Sequence, residues 1–346
     1  MECSGDAYID LLTKEVKQTF AYQDGCDYRT WKTQVKAKFE ELLGIEFIRE
    51  NACPLSFRLE EEKQKEGYKQ YRFLIESERG ADVVCYLLIP DTGKEKYPVA
   101  ITLQGHHAGA AKMSINEPNP DEPSHVEYAN GRGCFAVQAV RNGFAALAIE
   151  QRGMGERRPK RWDRNANMCT FEGLTGLLFG RTILGGRVWD ISRAIDSLVN
   201  FSQCDMDKIL ITGNSGGGTA SYYAACFDER IKLCVPSCAF CPYEYSILHL
   251  EHCICNYIPQ MYRYCEMQDL ACLIAPRNFV PVAGKKDGIF LIDGVRMAMD
   301  TVRKIYAQEN ADKNCRLVET EKGHWWCEDI VWTTIQEETR KLGWNI

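Results

Sequence analysis

Histidine is scarce in this chain, six among 346 residues, so imidazole chemistry near neutral pH has few places to reside. Long apolar runs are missing too. Val83–Ile89 and Phe144–Ile149 are strand-length and fall far short of the roughly 18 residues that span a bilayer, so no membrane association is expected. There is no basic excess either. The 42 Lys and Arg are intermixed with 48 Asp and Glu, for a net charge of −6, which argues against a nucleic-acid partner. Met1-Glu2-Cys3-Ser4-Gly5-Asp6 has no basic n-region and no apolar h-region, so no secretory signal is visible. No heptad series, internal repeat or low-complexity linker divides the chain.

What the chain does have is cysteine. Seventeen is a high and odd number, scattered through helical and strand-like stretches of a protein too large to need staples. Reduced thiols packing as small hydrophobes, and hence a cytoplasmic location, are expected. A hydrophobic fraction of 45% with 26% charge describes a globular protein with ample core material.

Residues 8–20 and 29–43 carry apolar residues at helical spacing (Ile9, Leu12, Val16, Phe20; Trp31, Val35, Phe39, Leu42, Leu43). They read as an amino-terminal helical extension, residues 1–50, packed on a main domain of residues 51–346. Residues 55–78 and 81–90 read as antiparallel opening strands closed by Pro90-Asp91-Thr92-Gly93. From Pro98 onward, short apolar strands (99–103, 145–149, 209–212, 233–236, 279–283) alternate with helices (134–141, 188–201, 219–227, 294–309). That alternation predicts an α/β protein with a mostly parallel sheet flanked by helices. Residues 107–132, 153–186 and 238–272 break the pattern. Each follows a strand, on the side where open α/β sheets place ligands, and each reads as a lid-like insertion.

The strongest motif is Ile209-Leu210-Ile211-Thr212-Gly213-Asn214-Ser215-Gly216-Gly217-Gly218-Thr219, a G-x-S-x-G turn with an apolar strand before it and a helix of small residues after it. A nucleophile on so sharp a turn needs neighbours nearly free of side chain two positions away, and Gly213 and Gly217 meet that need. Gly216 N–H, at the start of the helix, faces the place where negative charge would develop. A phosphate-cradling loop is the rival use of such glycines, but GNSGGGT lacks the Walker lysine.

In a serine, acid, histidine chain order the base must follow Ser215. His249 and His252 precede the last strand candidate, whereas His324 follows it in a Gly-flanked turn, Lys322-Gly323-His324-Trp325. A packing role beside Trp325 is the plain alternative. Asp287, 37 residues before His324 (324 − 287), ends the strand at 279–284 and suits the acid that fixes the imidazole tautomer. Asp293 competes, but helix N-capping explains it equally well. Lys285 and Lys286 read as a solvated pair. Gln104-Gly105-His106-His107-Ala108-Gly109 follows the strand at 99–103, and His106 N–H is the candidate second oxyanion donor beside Gly216 N–H. His107 would line the pocket or satisfy itself.

His249-x-x-His252 with Cys253-x-Cys255 invites a zinc reading, but no second spaced pair accompanies it and HExxH is absent. Lid packing is preferred there, with no metal and no cofactor expected. Tyr243, Tyr245, Tyr257, Tyr262, Tyr264, Trp325 and Trp326 suit either core packing or stacking on a sugar or aryl group.

The residues quoted resemble the α/β-hydrolase superfamily, and more narrowly its acetyl xylan esterase-like and dienelactone hydrolase-like branches. The similarity runs from about residue 80 to the end and rests on QGHHAG (104–109), EQRGMGE (150–156), GNSGGG (213–218), LIAPRNFVPVAGKKDGIF (273–290) and GH (323–324). Gln104-Gly105 departs from the usual His-Gly of the oxyanion loop. Arg152 matches the arginine of the family's RGxG turn, a bracing residue. The resemblance implies a serine esterase, with carbohydrate deacetylation the first expectation and an oligosaccharide or small-molecule ester as substrate. A prolyl-oligopeptidase-type peptidase is the enzymatic rival, although no repeat array supplies its propeller. A non-catalytic binding protein on the same fold is the rival from another class. Assembly, including a homo-oligomer, is not encoded in any motif.

Overall fold

The computed structural model describes residues 5–106, 110–117, 133–159 and 168–346. Among them, ten strands form one sheet: β1 (Ser56–Lys65), β2 (Tyr68–Glu78), β3 (Ala81–Pro90), β4 (Tyr97–Leu103), β5 (Ala145–Ile149), β6 (Cys204–Asn214), β7 (Ile231–Ser237), β8 (Asn278–Phe279), β9 (Val282–Gly284) and β10 (Val318–Thr320). Their order is β1-β2-β3-β5-β4-β6-β7-β9-β10, with β8 paired to β7. The first three strands are antiparallel, β1 joined to β2 through Glu66-Gly67 and β2 to β3 through Arg79-Gly80, and β3 runs antiparallel to β5. From β5 to β10 the pairing is parallel. This is the α/β-hydrolase arrangement.

The parallel strands read as unbroken apolar runs because helices cover both faces. β4 and β5 are buried throughout. One layer of core gathers Val99, Ile101, Ile209 and Ile211 under the helices Tyr28–Leu43, Ile183–Ser197, Gly216–Phe227 and Ile292–Gln308. The other gathers Ala100, Ala146, Leu210 and Val235 under Phe135–Arg141 and Glu328–Lys341. Alternate residues of a strand point to opposite faces, which is why neighbours such as Val99 and Ala100 enter different cores.

The stretch 279–283 is not one strand. It divides into β8 and β9 around Val280-Pro281, where Pro281 has no N–H for a ladder. β6 begins earlier than its apolar run, at Cys204, and crosses a register shift against β4 at Pro98/Val99. The helix at 183–197 starts five residues before the expected Val188. Thr182 caps it by accepting the Gly185 N–H at 2.9 Å.

The helices Gly5–Glu15, Tyr28–Leu43 and Ile45–Arg49 occupy the amino-terminal segment. The second buries Trp31, Val35, Phe39 and Leu43 on one stripe, within the same core as the sheet. Insertion 107–132 falls largely outside the described residues, as does part of 153–186. Met168–Leu177 is a helix in the latter, and turns, 3₁₀ segments and the one-turn α-helix Met261–Tyr264 make up 238–272. No helix among the described residues is long and apolar enough to cross a membrane.

Candidate active site

The elbow is set by crowding. β6 ends at Asn214, the helix Gly216–Phe227 begins at once, and Ser215 between them has φ 54° and ψ −124°. Such a backbone is costly for a residue bearing Cβ and is retained here by packing on all sides. A Cβ on Gly217 would lie 2.1 Å from Leu103 O, and one on Gly213 2.3 Å from the same atom. The glycines of G-x-S-x-G are thus what lets β4 run against the turn. Ser215 N–H donates to Ser237 O at 2.9 Å, tying the elbow to the end of β7.

β9 delivers Asp287 to the same end of the sheet. Its carboxylate is buried, with Oδ1 accepting from Ile289 N–H at 2.8 Å and Phe290 N–H at 3.2 Å. Oδ2 faces His324 Nδ1 at 2.9 Å. Burial pushes this carboxyl's pKa up, but the His324 bond and charge and the two N–H donors outweigh it and leave it below the usual range. Asp293, the competing carboxylate, is placed differently. It lies inside the first turn of Ile292–Gln308, exposed and paired with Arg296, and the N-cap position belongs to Leu291. Lys285 pairs with Glu321, and both 285 and 286 are exposed.

Cys238 lies against the pair. Its Sγ and the ligand atoms of Asp287 and His324 lie within 4.8 Å of one another, and it directly follows Ser237. The Ser215 hydroxyl makes no hydrogen bond to His324, both being among the described residues. Nucleophile–base bonds are often long before substrate binds.

Gly105 brings the loop after β4 onto the elbow: a Cβ there would lie 3.3 Å from Ser215 Cβ. The His106 ring lies over Gly216, with Nδ1 2.7 Å from where a Gly216 Cβ would stand. The two candidate oxyanion residues therefore adjoin. His107 lies outside the described residues.

Two further residues at the site are not singled out as such by the sequence. Phe290 stacks on His324 with centroids 5.8 Å apart, and His252 meets Phe290 edge-on at 5.4 Å. Burial, helped by the imidazoles of His324 and His106, lowers the His252 pKa. Its Nε2 is buried without a hydrogen bond. Phe290 stands three residues after Asp287 and closes the 273–290 stretch, which gives it no role of its own. His252 lies in the 238–272 insertion, and nothing local marks which of His249 and His252 turns inward. His249 is exposed, so the H-x-x-H pair does not act as one unit. Cys253 and Cys255 meet His106 and Cys169 instead.

The aromatics divide toward packing. Tyr243 is buried with its hydroxyl 2.9 Å from that of Tyr223, and Trp326 donates to Gln138. Tyr264 stacks on Phe20. Arg152 binds Asp190 through Nε at 2.8 Å and Glu78 through Nη2 at 2.6 Å, bracing β2, the turn after β5 and the helix Ile183–Ser197.

Residues 4–221 match the family model described as the abhydrolase family. Because that match begins at residue 4, the similarity includes the amino-terminal helices, contrary to the expectation that it starts near residue 80. YtaP of Bacillus subtilis (strain 168), provisionally named a hydrolase, is 28% identical over 265 residues, 71% of this chain and 84% of its own. A Bacteroides fragilis NCTC 9343 structure, provisionally named an acetyl xylan esterase, superposes with TM-score 0.75 at 17% identity, covering 93% of this chain and 83% of that one. A glucuronoyl esterase from Solibacter usitatus superposes with TM-score 0.67 at 14% identity, covering 94% and 99%. With the match spanning more than half of its length, the chain belongs to the abhydrolase family, on the α/β-hydrolase fold.

Proposed function

We propose that this chain is a serine carboxylic ester hydrolase acting on ester-substituted carbohydrates, with acetyl esters as first choice. The observation that carries the reading is the buried Asp287 carboxylate 2.9 Å from His324 Nδ1, beside an elbow that holds Ser215 at positive φ. A structural histidine does not need an ionised, buried orienting acid, and an ordinary helix start does not need so strained a serine. The names of the relatives support the substrate class: acetyl xylan and glucuronoyl esterases are among the proteins of this fold.

In the proposed mechanism His324 Nε2 removes the Ser215 proton as Oγ attacks the ester carbonyl. Asp287 keeps the proton on Nδ1 and stabilises the imidazolium. The oxyanion sits on the N–H groups of His106 and Gly216, the latter at a helix start where N–H groups have no internal partner. His324 then protonates the leaving alcohol, and water repeats the sequence on the acyl-enzyme. His252 Nε2, unpartnered among the described residues, is available to a sugar hydroxyl.

Ser215→Ala tests this. Turnover of p-nitrophenyl acetate should fall by several orders of magnitude, about 10⁶ where the serine acts in a complete triad. Fluorophosphonate should label the parent protein at one peptide and not the variant. Near-parental turnover by the variant would end the reading. A panel of acetylated sugars, uronate esters and longer acyl esters then separates acyl group from alcohol.

A further inference from the structure

Four donor groups from three separate segments meet beside the elbow, and the mechanism uses none of their side chains. His106 comes from the loop after β4, Cys169 from the start of the helix Met168–Leu177, and Cys253 and Cys255 from the 238–272 insertion. The donor atoms of His106, Cys169 and Cys253 all lie within 4.8 Å of one another. Cys255 Sγ is 3.0 Å from His106 Nε2, and its thiol also meets those of Cys169 and Cys253.

We propose that Cys169, Cys253, Cys255 and His106 bind one zinc ion, which clips these three segments together next to the nucleophile. Three thiols and an imidazole are the soft donor set that zinc takes in tetrahedral structural sites. With metal–sulfur near ~2.3 Å and metal–nitrogen near ~2.0 Å, tetrahedral donors stand about 3.5–3.8 Å apart. The His106 Nε2 to Cys255 Sγ separation of 3.0 Å and the separations of no more than 4.8 Å among the His106, Cys169 and Cys253 donors lie on either side of that value, so a rotamer adjustment suffices to bring them to it.

Arg187 supplies an independent reason. It is fully buried on the helix Ile183–Ser197, and Nη2 donates to Cys169 Sγ at 3.0 Å. Its other bonds go to Arg152 O, and Nη1 has no partner. Among the described residues no carboxylate forms an ion pair with it. The Glu172 carboxylate acts on it electrostatically but makes no ion pair with it, and a buried cation so incompletely compensated is unfavourable. Zinc with three thiolates and a neutral imidazole carries one net negative charge, which balances the guanidinium and gives Nη1 sulfur atoms to face.

Access and orientation fit as well. Cys169 and Cys255 are buried, Cys253 is partly exposed and His106 is exposed, so an ion can enter from the His106 side. Ligation at Nε2 leaves the His106 proton on Nδ1, the edge of the ring that lies against Gly216. With four protein ligands no position stays open, so the ion is structural and takes no chemical step. Metal binding does not depend on the ester-hydrolase reading.

The test is metal content. Protein expressed with added zinc and purified under reductant should carry about one zinc per chain by plasma mass spectrometry. Cys253→Ala/Cys255→Ala should lower this by at least about tenfold, whereas Ser215→Ala should leave it unchanged. Cobalt added to metal-stripped wild-type protein should give thiolate-to-metal charge-transfer absorption, which decides the matter even if the double variant fails to fold. Three results each overturn the proposal: wild-type protein that takes up neither metal, zinc that persists in the double variant, or a disulfide among Cys169, Cys253 and Cys255 in place of bound metal.

Discussion

Asp287→Asn isolates the orienting acid from everything else at the site. In the parent, Asp287 Oδ1 accepts from the N–H groups of Ile289 and Phe290 at 2.8 and 3.2 Å, and Oδ2 receives the Nδ1 proton of His324 at 2.9 Å. An asparagine has only one oxygen, and two backbone donors already claim it. The amide NH₂ therefore faces Nδ1, which must become an acceptor, and the imidazole proton moves to Nε2. In that tautomer His324 cannot take the Ser215 proton. Exchange of an orienting aspartate in this way lowers kcat by about 10⁴, equivalent to about 5.4 kcal/mol of barrier at ~1.36 kcal/mol per decade. Folding should survive, because the backbone bonds of the turn are kept; near-ultraviolet circular dichroism and thermal denaturation at pH 7 check that. The kinetic assay is p-nitrophenyl acetate hydrolysis, with kcat and KM resolved. A folded variant retaining kcat within about tenfold of the parent would refute the role given to Asp287.

Other perturbations test the scaffold. Arg152→Met leaves Glu78 and Asp190, whose side chains are 1% and 2% exposed, short of a shared cation, and should cost about 3–5 kcal/mol, read as a fall in the urea midpoint. Gly217→Ala places a Cβ 2.1 Å from Leu103 O, so the chain should fold poorly or lose its elbow; a soluble, active variant would contradict the packing described. Burial pushes the Glu266 carboxyl up to about 8, against the N–H groups of Tyr243 and Met267, which favour its charge. Its folded-state pKa exceeds the unfolded value, so its contribution is complete below about 4.5 and is lost as pH rises toward about 8. Glu266→Gln should therefore flatten the decline in urea midpoint between pH 5 and pH 8, by on the order of a few kcal/mol; an unchanged slope would show that the carboxyl does not titrate there.

Some of this architecture is written locally in the sequence. Gly213 and Gly217 announce the elbow because they fall at fixed offsets around Ser215, where crowding against Leu103 O leaves no room for a side chain, and Gly105 meets the elbow from the other side at Asn214 O. His324 can be singled out because so few histidines exist and chain order removes the rest. Convergent features leave no such trace. Cys253-x-Cys255 is visible as a spacing, yet its neighbours His106 and Cys169 stand 149 and 86 positions away from Cys255 (255 − 106; 255 − 169), and the histidines beside it in sequence go elsewhere. Pro281 could have revealed the break between β8 and β9, but the apolar residues on either side conceal it. Phe290 and His252 reach the site through the shape of loops that have no period.

The amino-terminal helices show the same limit from another side. Periodicity reports that Trp31, Val35, Phe39 and Leu43 share a face; it does not say what covers that face. In the fold, Leu43 O accepts both the N–H and the hydroxyl of Thr182, the residue that caps the helix carrying Arg187 and Asp190. A Cβ on Gly185 would meet Leu43 O at 2.1 Å, so the two backbones touch. Tyr22 N–H donates to buried Asp269, in the segment that leads to β8. A helix joined this closely to the residues that position Arg152 and Cys169 supports the site through the core, and a single apolar stripe in the sequence cannot distinguish that from a loosely attached extension.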